Sequence, residues 1–455
     1  MDLGEGLPPS ARLRAMATIA IAVSMAVLDS SIANIALPTI ARDMATTPAA
    51  TIWVVNAYQF AVTVSLLPLA FLGDILSYKR VYMAGLVVFT IASLGCALAP
   101  TLPLLVLARV VQGFGGAGIM SVNTALIRFI FPRGQLGRGL GFNALTVATF
   151  SALGPSIASA ILSIASWHWL FAINVPLGVI ALWLAARVLP MTPRARHRLD
   201  VLSVVLNAAT LGLVITAVDG MGRNNGVVEV IELVLAAVIG TAFIYRQLSL
   251  PVPLLPVDLF RRPIFALSVG TSVCSYIAQT MAYVALPFYF QYVVGLTQVD
   301  TGLLMTPWPA IVVIVAPIAG RLSDRYPAGV LGTAGLAIMT TGLLCLLFMP
   351  ANPSYADLAW RMAVCGMGFG FFQSPNNRLL VGSAPVERSG AGSGMLATAR
   401  LTGQTLGSAF VALAFGLNGA GASTEVGHGT TLALAIAAGS AAVAMVVSSL
   451  RLRAR

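Results

Sequence analysis

Leu28-Asp29-Ser30-Ser31-Ile32-Ala33-Asn34-Ile35-Ala36-Leu37-Pro38 closes an apolar run that carries no charge from Ala15 to Leu28. A carboxylate set at such a place must be neutralised, paired or wetted, because an isolated charge in an apolar surrounding is expensive. Asp29 is therefore a candidate functional residue, and its surroundings decide the fold. The 455-residue chain is 58% hydrophobic and only 9% charged, against about 25% charged in soluble domains. Its mean hydropathy is +0.91. That is the composition of a chain that lives in lipid. The 43 glycines and 25 prolines then fit tightly packed and broken transmembrane helices rather than disorder.

A bilayer core of about 30 Å takes roughly 20 apolar residues per helix. Such runs stand at 14–37, 50–72, 80–99, 102–127, 138–163, 167–188, 200–219, 228–248, 264–293, 300–320, 328–349, 355–381, 389–416 and 430–450. They predict an all-α polytopic membrane protein with 14 transmembrane helices and both termini on one side. The apolar run after Arg12 and Arg14 is too long for a cleaved signal and is followed by similar runs, so it reads as the first span.

Of the 26 basic residues, 21 fall in connections on the side of the termini, and only Arg42 and Arg223 fall on the other. Arg109, Arg361 and Arg400 lie inside spans. Positive loops stay in the cytoplasm, which predicts cytoplasmic termini in a bacterial inner membrane. The net charge of +11 belongs to this bias and does not point to nucleic acid. Cys96, Cys274, Cys345 and Cys365 sit singly in apolar runs and read as small core residues, with no metal site.

The chain repeats itself. Ala36-Leu37-Pro38 recurs as Ala285-Leu286-Pro287 at an offset of 249, Asp74 as Asp324 at 250, and Arg109 as Arg361 at 252. Asn123/Asn376, Pro132/Pro385, Gly139/Gly392 and Gly154/Gly407 all match at 253. Residues 1–190 and 263–455 thus read as two six-helix bundles, joined by linkers and two inserted helices at 191–262. Parallel repeats with a site between them near the midplane are the plan of alternating-access transporters. No G-x-x-x-x-G-K-[ST] sequence is present, so ATP drive is not indicated, and the expectation is a transporter rather than an enzyme.

Several motifs carry a resemblance. Gly73-Asp74-Ile75-Leu76-Ser77-Tyr78-Lys79-Arg80, and its second copy Gly320-Arg321-Leu322-Ser323-Asp324-Arg325, are similar to the loop signature of the major facilitator superfamily. Ala70 and Ser77 replace two of its glycines. Leu107-Ala108-Arg109-Val110-Val111-Gln112-Gly113 resembles that superfamily's R-x-x-Q-G motif, and Gly154-Pro155 the centre of its antiporter motif. Trp167-His168-Trp169-Leu170-Phe171-Ala172-Ile173-Asn174-Val175-Pro176-Leu177-Gly178 and the opening Leu28–Pro38 stretch resemble signatures of the fourteen-span drug/proton antiporter family within it.

The resemblance implies the major-facilitator-type fold, gating roles for Asp74, Lys79, Arg80, Asp324 and Arg325, and a hinge at Gly154 and Pro155. It also makes spans one and four neighbours. Asp29 lies about 13 Å and Arg109 about 10 Å below the same surface at about 1.5 Å per residue, so the two could pair and couple protons. Burial would raise the carboxyl pKa and the guanidinium would lower it. Asn34, Asn56, Gln59, Gln112, Asn143, Gln279, Tyr283, Asn376 and Arg400 are candidates to line a substrate cavity, with the aromatics Phe288 and Phe372. Aromatic rows at this density more often pack helices. Glu229 reads as an unremarkable residue at the outer edge of its span, and Glu232 as a snorkelling one.

The function expected is a monomeric, proton-coupled exporter of apolar, cationic drugs or dyes. Its partners are a small-molecule substrate, protons and the lipid bilayer, and it uses no cofactor beyond the proton gradient. The cation preference rests on Asp29 as the sole deep acid, and Arg400 argues against it. A dedicated exporter of a metabolite, lipid or natural product is the alternative within transport. A channel or membrane receptor is the alternative outside it.

Overall fold

The structure is a computed structural model that describes residues 6–132, 135–192, 194, 199–221, 226–250, 253–323, 325–350, 353–383, 389–418 and 423–452, the side chains at 137 and 389–393 excepted. It is helical throughout, because every backbone donor and acceptor at membrane depth needs a partner within its own segment. The N-terminal half holds α1 (Pro9–Asp43), α2 (Pro48–Thr51), α3 (Trp53–Leu76) and α4 (Tyr78–Ala97). It continues with α5 (Leu102–Ile130), α6 (Leu136–Ile164), α7 (His168–Ala172) and α8 (Asn174–Val188). A hairpin follows, α9 (Val201–Gly220) and α10 (Val227–Ser249).

The C-terminal half begins with α11 (Pro263–Phe288), extended by a π-helical turn over Tyr289–Val293, then α12 (Gln298–Met305) and α13 (Pro307–Leu322). It ends with α14 (Ala328–Leu347), α15 (Tyr355–Gly382), α16 (Ser389–Asn418) and α17 (Ser423–Leu450). Among the described residues, 12 segments are long and apolar enough to cross a membrane. The short helices α2, α7 and α12 join their neighbours into single crossings, Pro307 breaking α12 from α13. Helices α15 and α16 are long but more polar and are not among the 12.

Both halves are built on one glycine-mediated crossing. A Cβ on Gly115 of α5 would stand 2.4 Å from the backbone nitrogen of Phe89 in α4, and one on Gly368 of α15 would stand 2.2 Å from that of Met339 in α14. Only hydrogen fits at either place.

The halves touch at mid-depth through α3 and α16, where Thr63 meets Thr405 at 3.0 Å, and share a core at one end. At the end away from the start of α1, Arg42 of α1 donates from Nη2 to Gln291 Oε1 at 2.6 Å. Ser156 of α6 meets Thr306 beside α12 at 2.9 Å. One apolar core there takes residues from both halves, including Ile35, Leu37, Phe288, Leu304 and Phe415. Towards the end where α1 starts, one core gathers around Val23, Tyr82 and Leu126 of the N-terminal half and takes in Leu401 of α16, and a smaller one in the C-terminal half gathers around Phe265 and Met395. The hairpin α9–α10 lies over the seam between α3 and α16, where Ile215 and Val218 pack with Ala409 and Phe60.

Candidate functional site

Asp29 and Arg109 are both buried and form an ion pair, Arg109 Nη1 donating to Asp29 Oδ2. The Gly113 backbone explains how α5 comes close enough. A Cβ there would stand 2.6 Å from the Tyr58 carbonyl oxygen, so the glycine lets α5 lie against α3. In that register Arg109 Nε donates to the Val54 carbonyl at 2.8 Å. The guanidinium also sits over the Tyr58 ring at 4.3 Å and near the Phe171 ring at 5.4 Å, which gives a desolvated cation a favourable apolar seat.

The carboxylate is saturated from its other side. Asp29 Oδ1 accepts from Gln112 Nε2 at 2.8 Å and from Asn174 Nδ2 at 3.2 Å. Gln112 is itself held: Oε1 accepts from Arg109 Nη1 at 2.6 Å, and Nε2 donates to Ser93 Oγ at 2.9 Å. Four helices, α1, α4, α5 and α8, thus close a sealed cluster of zero net charge around Asp29. Asn174 and Ser93 were not among the candidates, although Asn174 stands inside the quoted Trp167–Gly178 stretch. The cluster withholds Asp29 from a cationic substrate in this conformation, and with it the basis for expecting a cation.

The loop residues take other partners than ion pairing suggests. Asp74 accepts from the Tyr78 hydroxyl one turn on. Lys79 Nζ donates to the Ala186 and Leu189 carbonyls at 2.9 and 2.7 Å, neutralising the C-terminal end of α8. Ser77, where the loop signature has glycine, adopts φ +108°. Its hydroxyl meets Thr192 Oγ1 at 3.1 Å, a tie that holds the strained residue. Arg80 and Arg325 are exposed, and Asp324 lies outside the described residues. At the expected hinge, Gly154 faces Ser31 of α1, whose Cβ would stand 2.6 Å from an added Cβ. The Pro155 carbonyl accepts from Ser159 Oγ at 3.0 Å.

The candidate cavity residues divide. Phe288 and Phe372 are fully buried in packing in this conformation, Phe288 against Phe415 and Phe372 against Phe369. Asn376 belongs to a buried network instead, giving Nδ2 to Ser272 at 2.7 Å and taking Arg451 Nη1 at 2.6 Å. Asn143 accepts from Asn123, and Asn34 bonds the Ser30 carbonyl of its own helix. Gln59 accepts from Ser408 across the two halves at 3.2 Å, and both amide atoms of buried Asn56 are without a partner among the described residues. Gln279, Tyr283 and Arg400 are half-buried.

Three further findings correct the sequence reading. Arg451, one residue past α17, is buried rather than exposed, and burial draws its pKa down to about 10. Glu229 is also buried, its Oε1 standing 2.7 Å from where Gly220 would carry a Cβ. Asp219, overlooked in the sequence, is buried and takes the Trp53 indole at 3.2 Å. At the near end of the hairpin, Arg246 donates to both oxygens of Asp200 at 2.7 Å and, with Ser203, holds its carboxyl at about 2.

Two related halves of membrane-length helices with a buried charge cluster at mid-depth define a multi-pass membrane transporter. The profile of the Major Facilitator Superfamily matches residues 19–408, and the chain belongs to that superfamily. It is 56% identical over 451 residues, 98% of this chain and 97% of the relative, to the uncharacterized transporter YebQ of Escherichia coli (strain K12). It is 32% identical to the riboflavin transporter RibZ of Clostridioides difficile (strain 630), over 86% of each chain. To the multidrug resistance protein Stp of Mycobacterium tuberculosis (strain CDC 1551 / Oshkosh) it is 30% identical, over 84% of this chain and 72% of that one. A solved bacterial homolog of the human lysosomal transporter Spinster, inward-facing and unoccupied, shares the fold with a TM-score of 0.71 at 14% identity, over 99% of this chain and 98% of that one. The superfamily is one of transporters, so the channel and receptor readings fall away.

Proposed function

We propose that this transporter is a proton-coupled exporter of apolar small molecules, an antiporter in which Asp29 carries the proton and Arg109 is its resident counter-charge. The observation that carries the reading is the sealed Asp29–Arg109–Gln112–Asn174 cluster at mid-depth. An ionised Asp29 holds α1 to α5, whereas a protonated one gives up the ionic attraction. Such a pair has two states, and a change in water access shifts the balance between them. α1 also carries the far-end tie to α11 through Arg42 and Gln291. Loosening α1 at Asp29 therefore bears on whether the far end stays shut.

The supporting parts fall into the same scheme. The Arg-rich connections favour a bacterial inner membrane with cytoplasmic termini, and α15 and α16 then complete fourteen crossings. The far end, where the halves share a core, becomes the closed outer side. Asp74, Lys79, Arg80, Asp324 and Arg325 serve as loop contacts that change when the inner side closes. Gly154 and Pro155 let α6 roll on α1, since Pro155 lacks the N–H that would bond one turn back. The chain acts as a monomer and takes its energy from the proton gradient alone.

Kinship with multidrug resistance protein Stp supports drug efflux. Kinship with riboflavin transporter RibZ favours a second reading, a dedicated transporter of one polycyclic metabolite. The test is an imposed gradient in proteoliposomes, acid on the face that receives the solute. Wild-type protein should drive a fluorescent solute against its gradient until a protonophore is added, and Asp29→Asn should not. Gradient-driven movement of equal rate in Asp29→Asn would overturn the proposal.

A further inference from the structure

Arg400 stands eleven residues into α16, about 17 Å from its start and so near mid-depth. A guanidinium at that depth calls for a partner. None of its nitrogens bonds to a described residue, and its Nε is buried and unpartnered. The direction it faces follows from the helix. Gly403 and Gly407 lie against Val273, Tyr276 and Ile277 of α11. Thr405 and Ser408 lie against Thr63 and Gln59 of α3. At about 100° per residue, position 400 falls in the wedge between these two contacts, which is the space between the halves. Arg400 therefore stands at the seam between α11 of its own half and α3 of the other, and it remains half-buried there.

A second donor stands beside it. This is Tyr276, whose Cβ stands 2.8 Å from where Gly403, one turn after Arg400 on α16, would carry a Cβ. Its phenol oxygen already accepts from Gln373 Nε2 at 2.9 Å, so its own O–H is left to donate elsewhere. No described carboxylate balances this pair, since Asp29 on the opposite half is spent on Arg109.

We propose that Arg400 and Tyr276 form an anion-recognition site, and that the substrate is an apolar molecule bearing an ionised acidic group such as a carboxylate. This rests on the export reading above and names its substrate class. The guanidinium would hold one carboxylate oxygen and the phenol would donate to the same group, both as charge-assisted hydrogen bonds in a low-dielectric surrounding.

The test is equilibrium binding to the purified full-length transporter in lipid nanodiscs, which involves no proton gradient. The probes are dansyl-aminoundecanoic acid, its methyl ester, and a dansyl-alkyl trimethylammonium of the same length. Wild type should bind the acid about tenfold or more tightly than the ester, the size expected of one hydrogen bond to a charged group, and the ammonium most weakly. Arg400→Gln should shrink the acid-to-ester ratio about tenfold, Arg400→Lys should recover part of it, and Tyr276→Phe should lower it less. Helical circular dichroism and monodisperse elution check that each variant is folded. A wild type that binds the ammonium best, or that treats acid and ester alike, overturns the proposal, as does an undiminished ratio in folded Arg400→Gln. If gradient-driven transport proves independent of Asp29 while the acid preference holds, the coupling reading fails and this one stands.

Discussion

Arg109 and Arg361 occupy equivalent places in the two halves, 252 residues apart, and they live in different surroundings. Arg109 is fully buried and answers to Asp29 on another helix. Arg361 is half-buried, pairs with Asp357 one turn back at 3.1 Å, and gives its other branch to the Cys345 carbonyl. The cause is one residue. The position matching Asp29 at an offset of 249 is Ala278, so no acid awaits Arg361 across the bundle. The crossings that carry the two arginines, Gly115 on α4 and Gly368 on α14, are alike. The frame was duplicated and kept, whereas the charges diverged. One half balances its deep charge; in the other, among the described residues, Arg400 Nε has no partner and Arg451 is held by neutral groups.

Breaking the balanced half should cost most. Arg109→Ala leaves Asp29 buried without its cation, and removal of one partner of a buried pair costs about 3–5 kcal/mol. Heat unfolding in detergent should fall accordingly, while Asp29→Asn combined with Arg109→Gln should lose less than Arg109→Ala alone. A double variant as unstable as the single one would mean that the pair does not carry the cost. The shared frame has its own measure. Gly115→Ala and Gly368→Ala each push a methyl into backbone that cannot yield, at about 1–3 kcal/mol apiece. Equal losses support one common crossing, and a loss in one half only would break the parallel.

The inserted hairpin makes the smallest claim. Asp200 is ionised by Arg246 well below an ordinary carboxyl, to about 2. Its folded-state value is depressed, so its contribution is complete above the unfolded value near 3.8 and is lost as pH falls through about 2. The stability difference between wild type and Asp200→Asn, read by heat unfolding, should therefore vanish over that window. The pair is largely exposed, so the difference should be small even at neutral pH.

Much of the architecture was legible because lipid imposes simple rules. Apolar runs gave an all-helical membrane chain of the superfamily's type, and counting along spans one and four put Asp29 and Arg109 at like depth. The partners were harder to read. Asn174 closes the Asp29 cluster from α8, and no spacing along the chain reveals which residue of a distant helix will face a carboxylate. The partner Lys79 takes in this conformation, the C-terminal end of α8, could not be read either, because that helix end lies three crossings away along the chain. Tyr78 was readable: one turn after Asp74, it lies on the same helical face. The packing of Phe288 and Phe372 was not legible, because aromatic side chains look alike in a sequence whether they pack or line. Arg451 misled because a basic residue at the end of a span usually snorkels, and here Asn376, Ser268 and Ser448 offered it an interior seat.

The central claim is that the balanced half moves the proton. Its most direct measurement is simultaneous recording of solute flux and proton flux in the same proteoliposomes, for wild type and Asp29→Asn. The account predicts that adding solute to wild type drives protons in the opposite direction in fixed proportion, and that Asp29→Asn gives no solute-dependent proton flux. Solute-driven proton movement at the wild-type ratio in Asp29→Asn would contradict it.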